Sequence, residues 1–374
     1  MILCKALREG EMGSFLMWSV IPDCAGESLS SWLVRMALIA GCDPLSLTHT
    51  LWPGWRTWTH DVDRVLTKSQ LSVLQMHSGL SDVFLHHMTL AGLLGNPVGQ
   101  PLQPVNGKVT GVIPLGIRNR SCIGGVQFCP KCLSEDKHPY FRLMWRLSYS
   151  TLCLKHQCLL KMSCPCCGEP VQYHRLTAPD ENIHLCFRCL TDLSEAFPEP
   201  AEPQVMAFQQ FALDSLGYQN NVVAFGRHNY EDWLVIEFFV RLIRYAARKH
   251  GGALNELFNY AGIPARRDIA GPLSLPLEYL SVGDRARLFS VAWPLILDGP
   301  AQFAILARKF GLSFNGLSAF SPPECLKILL ADLPLNHVPH AQKQSKVCLG
   351  VRSRRSVEHQ WALFLRRSGV GRYE

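Results

Sequence analysis

Apolar positions recur at helical spacing along most of the chain. In residues 27–40, Leu29, Trp32, Leu33, Met36 and Leu38 fall mostly on one face, predicting a helix that stops at Gly41. Residues 69–77 and 81–93 predict two more helices. Between them Gly79 permits a sharp turn, Leu80 plugs the angle and Ser81 can cap the second helix. Leu71, Leu74, Leu85 and Met88 would share one core. This is a helix-turn-helix pattern, in which Ser81, Asp82, Phe84 and His86 would face a major groove. An ordinary helical hairpin has the same pattern. The second helix also carries no Arg or Lys, although phosphate contacts supply much of the affinity for DNA. Further on, Trp233, Ile236, Phe239, Val240 and Ile243 predict a helix over 231–249, and two more are expected over 302–310 and 323–333. Residues 305–317, with Gly311 and Leu312, loosely repeat the helix-turn-helix pattern.

Helical periodicity fails in two places. Residues 96–125 are rich in Pro and Gly and read as a linker or extended loop; Pro198, Pro200 and Pro203 mark a second boundary among acidic residues. Three domains follow: a helical domain over 1–125, a middle module over 126–197 and a second helical domain over 198–374. Length agrees, since 374 residues at about 100–200 per domain give two or three. Trp52, Trp55 and Trp58 sit in a loop with Pro53 and Gly54, where they would anchor a core or an interface; stacking on bases is the rarer use.

The middle module owes its order to metal rather than to aliphatic residues. Cys129-x2-Cys132 is followed after twenty residues by Cys153-x2-His156. Seven residues later comes Cys164-x2-Cys167, and eighteen after that Cys186-x2-Cys189. A two-residue gap lets one tight turn aim two ligands at one ion, and two such turns complete a tetrahedron. Gly168 follows Cys167, where such turns favour positive φ. Two structural zinc ions are expected, Zn2+ held by protein at all four positions, with none left for the water a catalytic zinc needs. Cys158, Cys166, His138, His174 and His184 stand as alternative ligands. Cys166 has the wrong spacing from Cys164, and Cys158 reads as a small buried hydrophobe. The fold class expected is thus mainly α with small zinc-ribbon elements: an N-terminal helix-turn-helix domain, two tandem zinc-binding modules and a C-terminal helical domain.

Charge and cysteine usage narrow the setting. Residues 341–374 hold eight Lys and Arg against two Glu, most of the chain's formal net charge of +7. Such a tail fits nucleic acid or an acidic protein face, and Arg352, Arg354 and Arg355 are its candidate contacts. It is equally read as a solvated terminus. Residues 1–21 lack the apolar run of a secretory signal, and the best spanning candidate, 233–247, is broken by Glu237, Arg241 and Arg244. A cytoplasmic protein with no membrane partner is expected, and in a reducing compartment its 15 cysteines would bind metal rather than pair. No phosphate-cradling glycine loop, nucleophile elbow, paired-carboxylate site or H-E-x-x-H is found, so no enzyme activity is expected.

Several of these segments resemble the TniQ family. They are Glu27-Ser28-Leu29-Ser30-Ser31-Trp32-Leu33-Val34-Arg35-Met36-Ala37, then Phe128-Cys129-Pro130-Lys131-Cys132-Leu133, Tyr140-Phe141-Arg142-Leu143-Met144-Trp145-Arg146-Leu147, and Cys153-Leu154-Lys155-His156 with Cys164-Pro165-Cys166-Cys167-Gly168. The resemblance runs from Ser19 to about Cys189 and continues more loosely through Trp293-Pro294 and Gly299-Pro300-Ala301-Gln302-Phe303. It implies a role in choosing where a transposon inserts. TniQ-type subunits of CRISPR-associated transposons form a head-to-tail homodimer that links an RNA-guided Cascade complex to the AAA+ regulator TnsC. The alternative is a TnsD-like protein that binds a fixed DNA attachment site itself. Length and the lack of cations on the second helix favour the adaptor; the basic tail keeps direct DNA binding open.

Overall fold

The computed structural model describes residues 26–64, 66–100, 111–115, 126–180, 182–215, 218–219, 222–223, 230–249, 251–264, 268–269, 271–272, 275–335 and 361. The chain divides into two units, Met1–Pro334 and Leu335–Glu374. Of the second unit only Leu335 and Trp361 are described, so Arg352, Arg354 and Arg355 lie outside the described residues.

The described part of the first unit is mostly helical. Helix α1, Leu29–Ile39, opens on Ser28, whose hydroxyl accepts from the Ser31 amide. It is buried on nearly every side, as befits a helix between two cores rather than on a surface. Leu29, Trp32, Leu33 and Met36 join an N-terminal core with α2 (Pro44–Leu51) and α4 (Lys68–Ser78), while Val34 and Leu38 join the core of the middle module. The short α3, Thr57–His60, lies between them in the chain.

Helix α4 starts in a capping box, Thr67 with Gln70, and ends on Gly79 at φ 70°. Leu71, Leu74, Leu85 and Met88 do share one core. The second helix is shorter than its sequence predicts. It runs as α5, Asp82–His87, stops, and restarts as α6, Leu90–Leu93. Thr89 makes the break: its hydroxyl donates to the His86 carbonyl at 2.7 Å and caps Gly92. Gly92 is required there, because a Cβ would stand 2.2 Å from the His86 carbonyl oxygen. The break re-aims the chain, so that Leu85 and Met88 serve the N-terminal core and Leu90 and Leu93 the larger C-terminal one.

The middle module contains α7 (Pro130–Glu135), a 3₁₀ turn at Leu143–Arg146, and the antiparallel pair β1 (Leu152–Cys153) and β2 (Cys158–Leu159), with Cys153 opposite Cys158. The C-terminal core packs α8 (Pro203–Ser215), α9 (Tyr230–Arg248), α10 (Ala253–Tyr260), α11 (Val282–Lys309), α12 (Phe314–Ser318) and α13 (Glu324–Leu330). Phe208 stacks on Phe289 at 4.3 Å and Phe239 meets Phe303 edge-on at 5.2 Å. A second short pair, β3 (Tyr218–Gln219) and β4 (Val222–Val223), lies between α8 and α9 in sequence.

Helix α11 begins twenty residues before the predicted 302–310. Its halves join at Gly299, φ 80° and ψ 170°, where Pro300 has no amide to continue the ladder. By length and composition α11, rather than 233–247, is the one described helix apolar enough to cross a membrane. Its Phe289, Leu295 and Phe303 fill the main core and its Arg285 is fully buried, so here it is a core helix.

Two buried arginines bind these layers together. Arg146, 0% exposed, donates from Nη2 to Asp61 at 2.7 Å and the Ile113 carbonyl at 3.0 Å, and from Nη1 to Asp63 at 2.6 Å. Asp63 also accepts from the Ser30 amide and hydroxyl, each at 2.6 Å, and the Ser30 hydroxyl lies 2.5 Å from that of Tyr173. Burial drives the Asp63 carboxyl upward while Arg146 opposes it. Arg285 donates to the Ser148 carbonyl, to Gln127 Oε1 at 2.7 Å and to the Leu280 carbonyl at 3.2 Å. Removing one member of a buried ion cluster strands the others, which costs about 3–5 kcal/mol. Arg146→Met should lose stability of that order in urea unfolding, with the two aspartates left unpaired.

Burial also pushes the Glu27 carboxyl up to about 7, although Arg35 Nη1 lies 2.9 Å away and the Ser31 hydroxyl donates to it at 2.7 Å. Between its ordinary value of 4.5 and about 7, the folded chain holds a proton that the unfolded chain has released. This contribution to stability is therefore complete below 4.5 and lost as pH rises to about 7. Glu27→Gln should flatten that loss, by about 3 kcal/mol at most, as read from urea midpoints of both proteins at pH 5 and 7.5.

Candidate metal centres

The structure draws the eight spaced ligands into two groups. Cys129, Cys132, Cys153 and His156 form one, and Cys164, Cys167, Cys186 and Cys189 the other, with ligand atoms within 4.8 Å of one another in each. In the first, Cys129 caps α7 and Pro130 occupies its first turn, so the helix start presents both thiols. His156 Nδ1 lies 3.3 Å from Cys129 Sγ, 3.3 Å from Cys132 Sγ and 3.5 Å from Cys153 Sγ. Its other nitrogen, Nε2, is 2.9 Å from Glu135, which also holds Lys155 at 2.8 Å. A carboxylate on Nε2 leaves Nδ1 free of its proton and fixes the ring's orientation, as metal-bound histidines require.

In the second group, Cys164 Sγ is 3.5 Å from Cys189 Sγ and Cys167 Sγ 3.6 Å from Cys186 Sγ. Hydrogen bonding to Thr191 pulls the Cys189 thiol down to about 6, toward the thiolate that binds metal. Three of the four knuckles share one turn, in which the residue after the second ligand is left-handed and its amide returns to the first ligand's carbonyl. Gln157 (φ 51°) donates to Cys153, Gly168 (φ 72°) to Cys164 and Leu190 (φ 59°) to Cys186. Sequence reasoning anticipated only Gly168, because it looked for glycine.

The groups differ in exposure. The first has three buried cysteines; in the second, Cys167 and Cys189 are exposed. Each offers four soft donors, and either could hold one metal ion with no position left over. Of the alternative ligands, Cys158 is buried with its Sγ 3.7 Å from Cys129 Sγ. Cys166 is exposed, with its amide directed at Cys164 Sγ. His174 stacks on Trp58 at 5.1 Å, and burial there pushes its imidazole down to about 4. His184 lies 3.3 Å from Asp192, and His138 is exposed. Glu135 was not anticipated; its signal was a carboxylate three residues past a ligand, on the same short helix.

The nucleic-acid candidates are placed differently. Ser81 caps α5 through the Phe84 amide, and the exposed Asp82 carboxylate accepts from the Val83 amide. His86 points inward, 2% exposed, with Nε2 2.8 Å from the Asn96 carbonyl, so it offers no surface to a groove. The exposed side chains of this hairpin include Met76, Val83 and Phe84.

Fold and site together define a mainly helical protein whose middle is organised by two closed Cys/His groups. Residues 21–160 match the TniQ family model, so the chain carries a TniQ domain over that span. The match takes in all four ligands of the first group and ends before Cys164. A search of curated proteins finds no match.

Elemental analysis of the native protein should find two metal ions per chain. Cys132→Ser and Cys167→Ser should each remove one. A chromogenic chelator should draw metal off in two phases, the faster from the second group because its thiolates meet solvent. Cys167→Ser should delete the fast phase alone.

Proposed function

We propose that this protein is a target-selection adaptor in transposition. It links an RNA-guided Cascade-type complex to a TnsC-type AAA+ ATPase and works as a head-to-tail homodimer. The observation that carries this reading is the TniQ match over residues 21–160. Two further features support it. Helix α5 carries no Lys or Arg, and the α4–α5 hairpin presents apolar Met76, Val83 and Phe84, which suits a protein partner better than a phosphate backbone. Both Cys/His groups are closed, which suits a scaffold better than a catalyst.

On this reading the two ions are structural Zn2+, since thiolate and imidazole sets of this kind favour zinc. Zinc supplies cross-links in a segment short of aliphatic residues, and no bond chemistry. The chain's domains would be 1–125 with the helix-turn-helix, 126–197 with the metal modules and 198–374 with the basic tail. The adaptor converts one binding event into another, so its ends must keep a fixed relation.

The basic tail favours a second reading, a TnsD-like protein that binds an attachment site directly through Ser81, Asp82 and Arg352, Arg354 and Arg355. The two readings part in one pair of experiments. The adaptor should co-purify with a guide ribonucleoprotein and an ATPase, and bind bare duplex weakly in a salt-titrated shift assay. Tight sequence-specific binding by the protein alone, with a steep salt slope, would sink the adaptor reading.

A further inference from the structure

We propose that the cleft between α2 and the segment 55–59 is a docking site for an acidic peptide segment of a partner protein, taking one carboxylate and an adjacent apolar side chain. The cleft has a volume of about 370 Å³ and is lined chiefly by Leu45, His49, Trp55, Arg56, Thr57 and Trp58. That volume lies within the range of ligand sites, about 300–1,000 Å³.

The charge it carries is positive. Arg56 is exposed, and its guanidinium has no ion pair among the described residues. Trp58 Nε1 and Thr57 Oγ1 lie buried beneath the surface without a hydrogen-bond partner. Among the described residues no carboxylate lines the cleft. The nearest acids in sequence are spoken for: Asp43 accepts from the Ala178 amide, and Asp61 and Asp63 hold Arg146. A ligand carrying negative charge would complement Arg56. Its apolar part would rest on Leu45, which is 59% exposed, and on the indoles. Tryptophan and arginine around a concave surface are also the composition of protein–protein hot spots.

A single-stranded nucleic acid fits less well. Each indole already meets an imidazole of this chain, Trp55 with His60 at 5.9 Å and Trp58 with His174 at 5.1 Å, both near-parallel. Less ring face is therefore left for bases. Among the described residues Arg56 is the only Lys or Arg in the lining, whereas a strand is held through several phosphates.

The test is selection of a displayed random peptide library on the full-length metal-loaded protein, followed by anisotropy with the enriched peptide. The expected result is a sequence pairing Asp or Glu with a neighbouring Leu, Ile, Phe or Met. Its binding should fall at least about tenfold with Arg56→Glu, the loss of one charge-assisted contact and its reversal. Leu45→Glu should weaken it from the apolar side, and Asn or Gln in place of the peptide's acid should weaken it equally. Both substituted positions are exposed, and unchanged unfolding curves and metal content would establish that the variants fold. No enrichment, an enriched peptide without an acid, or binding that survives Arg56→Glu would overturn the proposal. So would tighter binding of a twelve-residue oligothymidylate at the same cleft.

Discussion

Arg146 fixes the relation between the N-terminal helices and the middle module. A guanidinium without solvent is tolerable only if its charge is met and most of its donors are filled, because desolvating an ion costs several kcal/mol. Here two aspartates from the segment after α3 meet the charge and the Ile113 carbonyl takes a further donor, which leaves Nε without a partner. Asp63 in turn ties down the start of α1 through Ser30, and Ser30 reaches Tyr173 beyond the first pair of knuckles. Four separate stretches of chain thus converge on one buried charge. None can shift without leaving an ion or a hydroxyl unpaired, so the assembly has one arrangement rather than several of similar energy.

Arg285 does the same for the C-terminal helices with less charge to help it. Among the described residues no carboxylate accepts from it; carbonyls of Ser148 and Leu280 and the Gln127 amide do. Burial pushes its guanidinium down to about 9, which still leaves it charged at neutral pH. Gln127 then donates to the carbonyls of Trp145, at 2.7 Å, and Ser150, at 2.9 Å, on either side of the Arg146 turn. The two arginines are therefore one network, joined through residues 145–150. The first Cys/His group flanks this stretch on both sides in sequence, with Cys132 before it and Cys153 after it. A metal ion there would clamp the loop that presents both arginine sites.

The parts of this arrangement that sequence made legible are those governed by local rules. The helix start at Ser81 was readable because an N-cap is chosen by the chain's own next amides. Ligand grouping was readable because two-residue spacing is a property of one turn. What could not be read depends on distant partners. The break at Thr89 exists because Leu85 and Leu90 belong to different cores, and nothing within residues 81–93 says that two cores are present. The early start of α11 was hidden by Pro294 and Pro300, which the packed helix accommodates around Gly299. Arg146 gave the one available hint of the network, a charge inside Leu-Met-Trp-Arg-Leu, but its aspartates lie more than eighty residues away in sequence.

The two Cys/His groups have different surroundings. The first sits in the module core, with Phe128, Leu133 and Trp145 in the same cluster and Glu135 behind its histidine. Strain applied at either end of the protein would meet it through packed side chains and the arginine network. The second opens to solvent at Cys167 and Cys189, with exposed Leu190 and Phe197 nearby in sequence. A scaffold needs rigidity in its interior, which the first group can supply. The other half of the second group, Cys164 and Cys186, is buried in that same module core, and Tyr173 in its loop reaches Ser30, so the second group ties an outward surface to α1. The TniQ match follows this division, ending at residue 160. Arg146, both its aspartates, Ile113 and Ser30 all lie within that match, and the second group extends their frame beyond it.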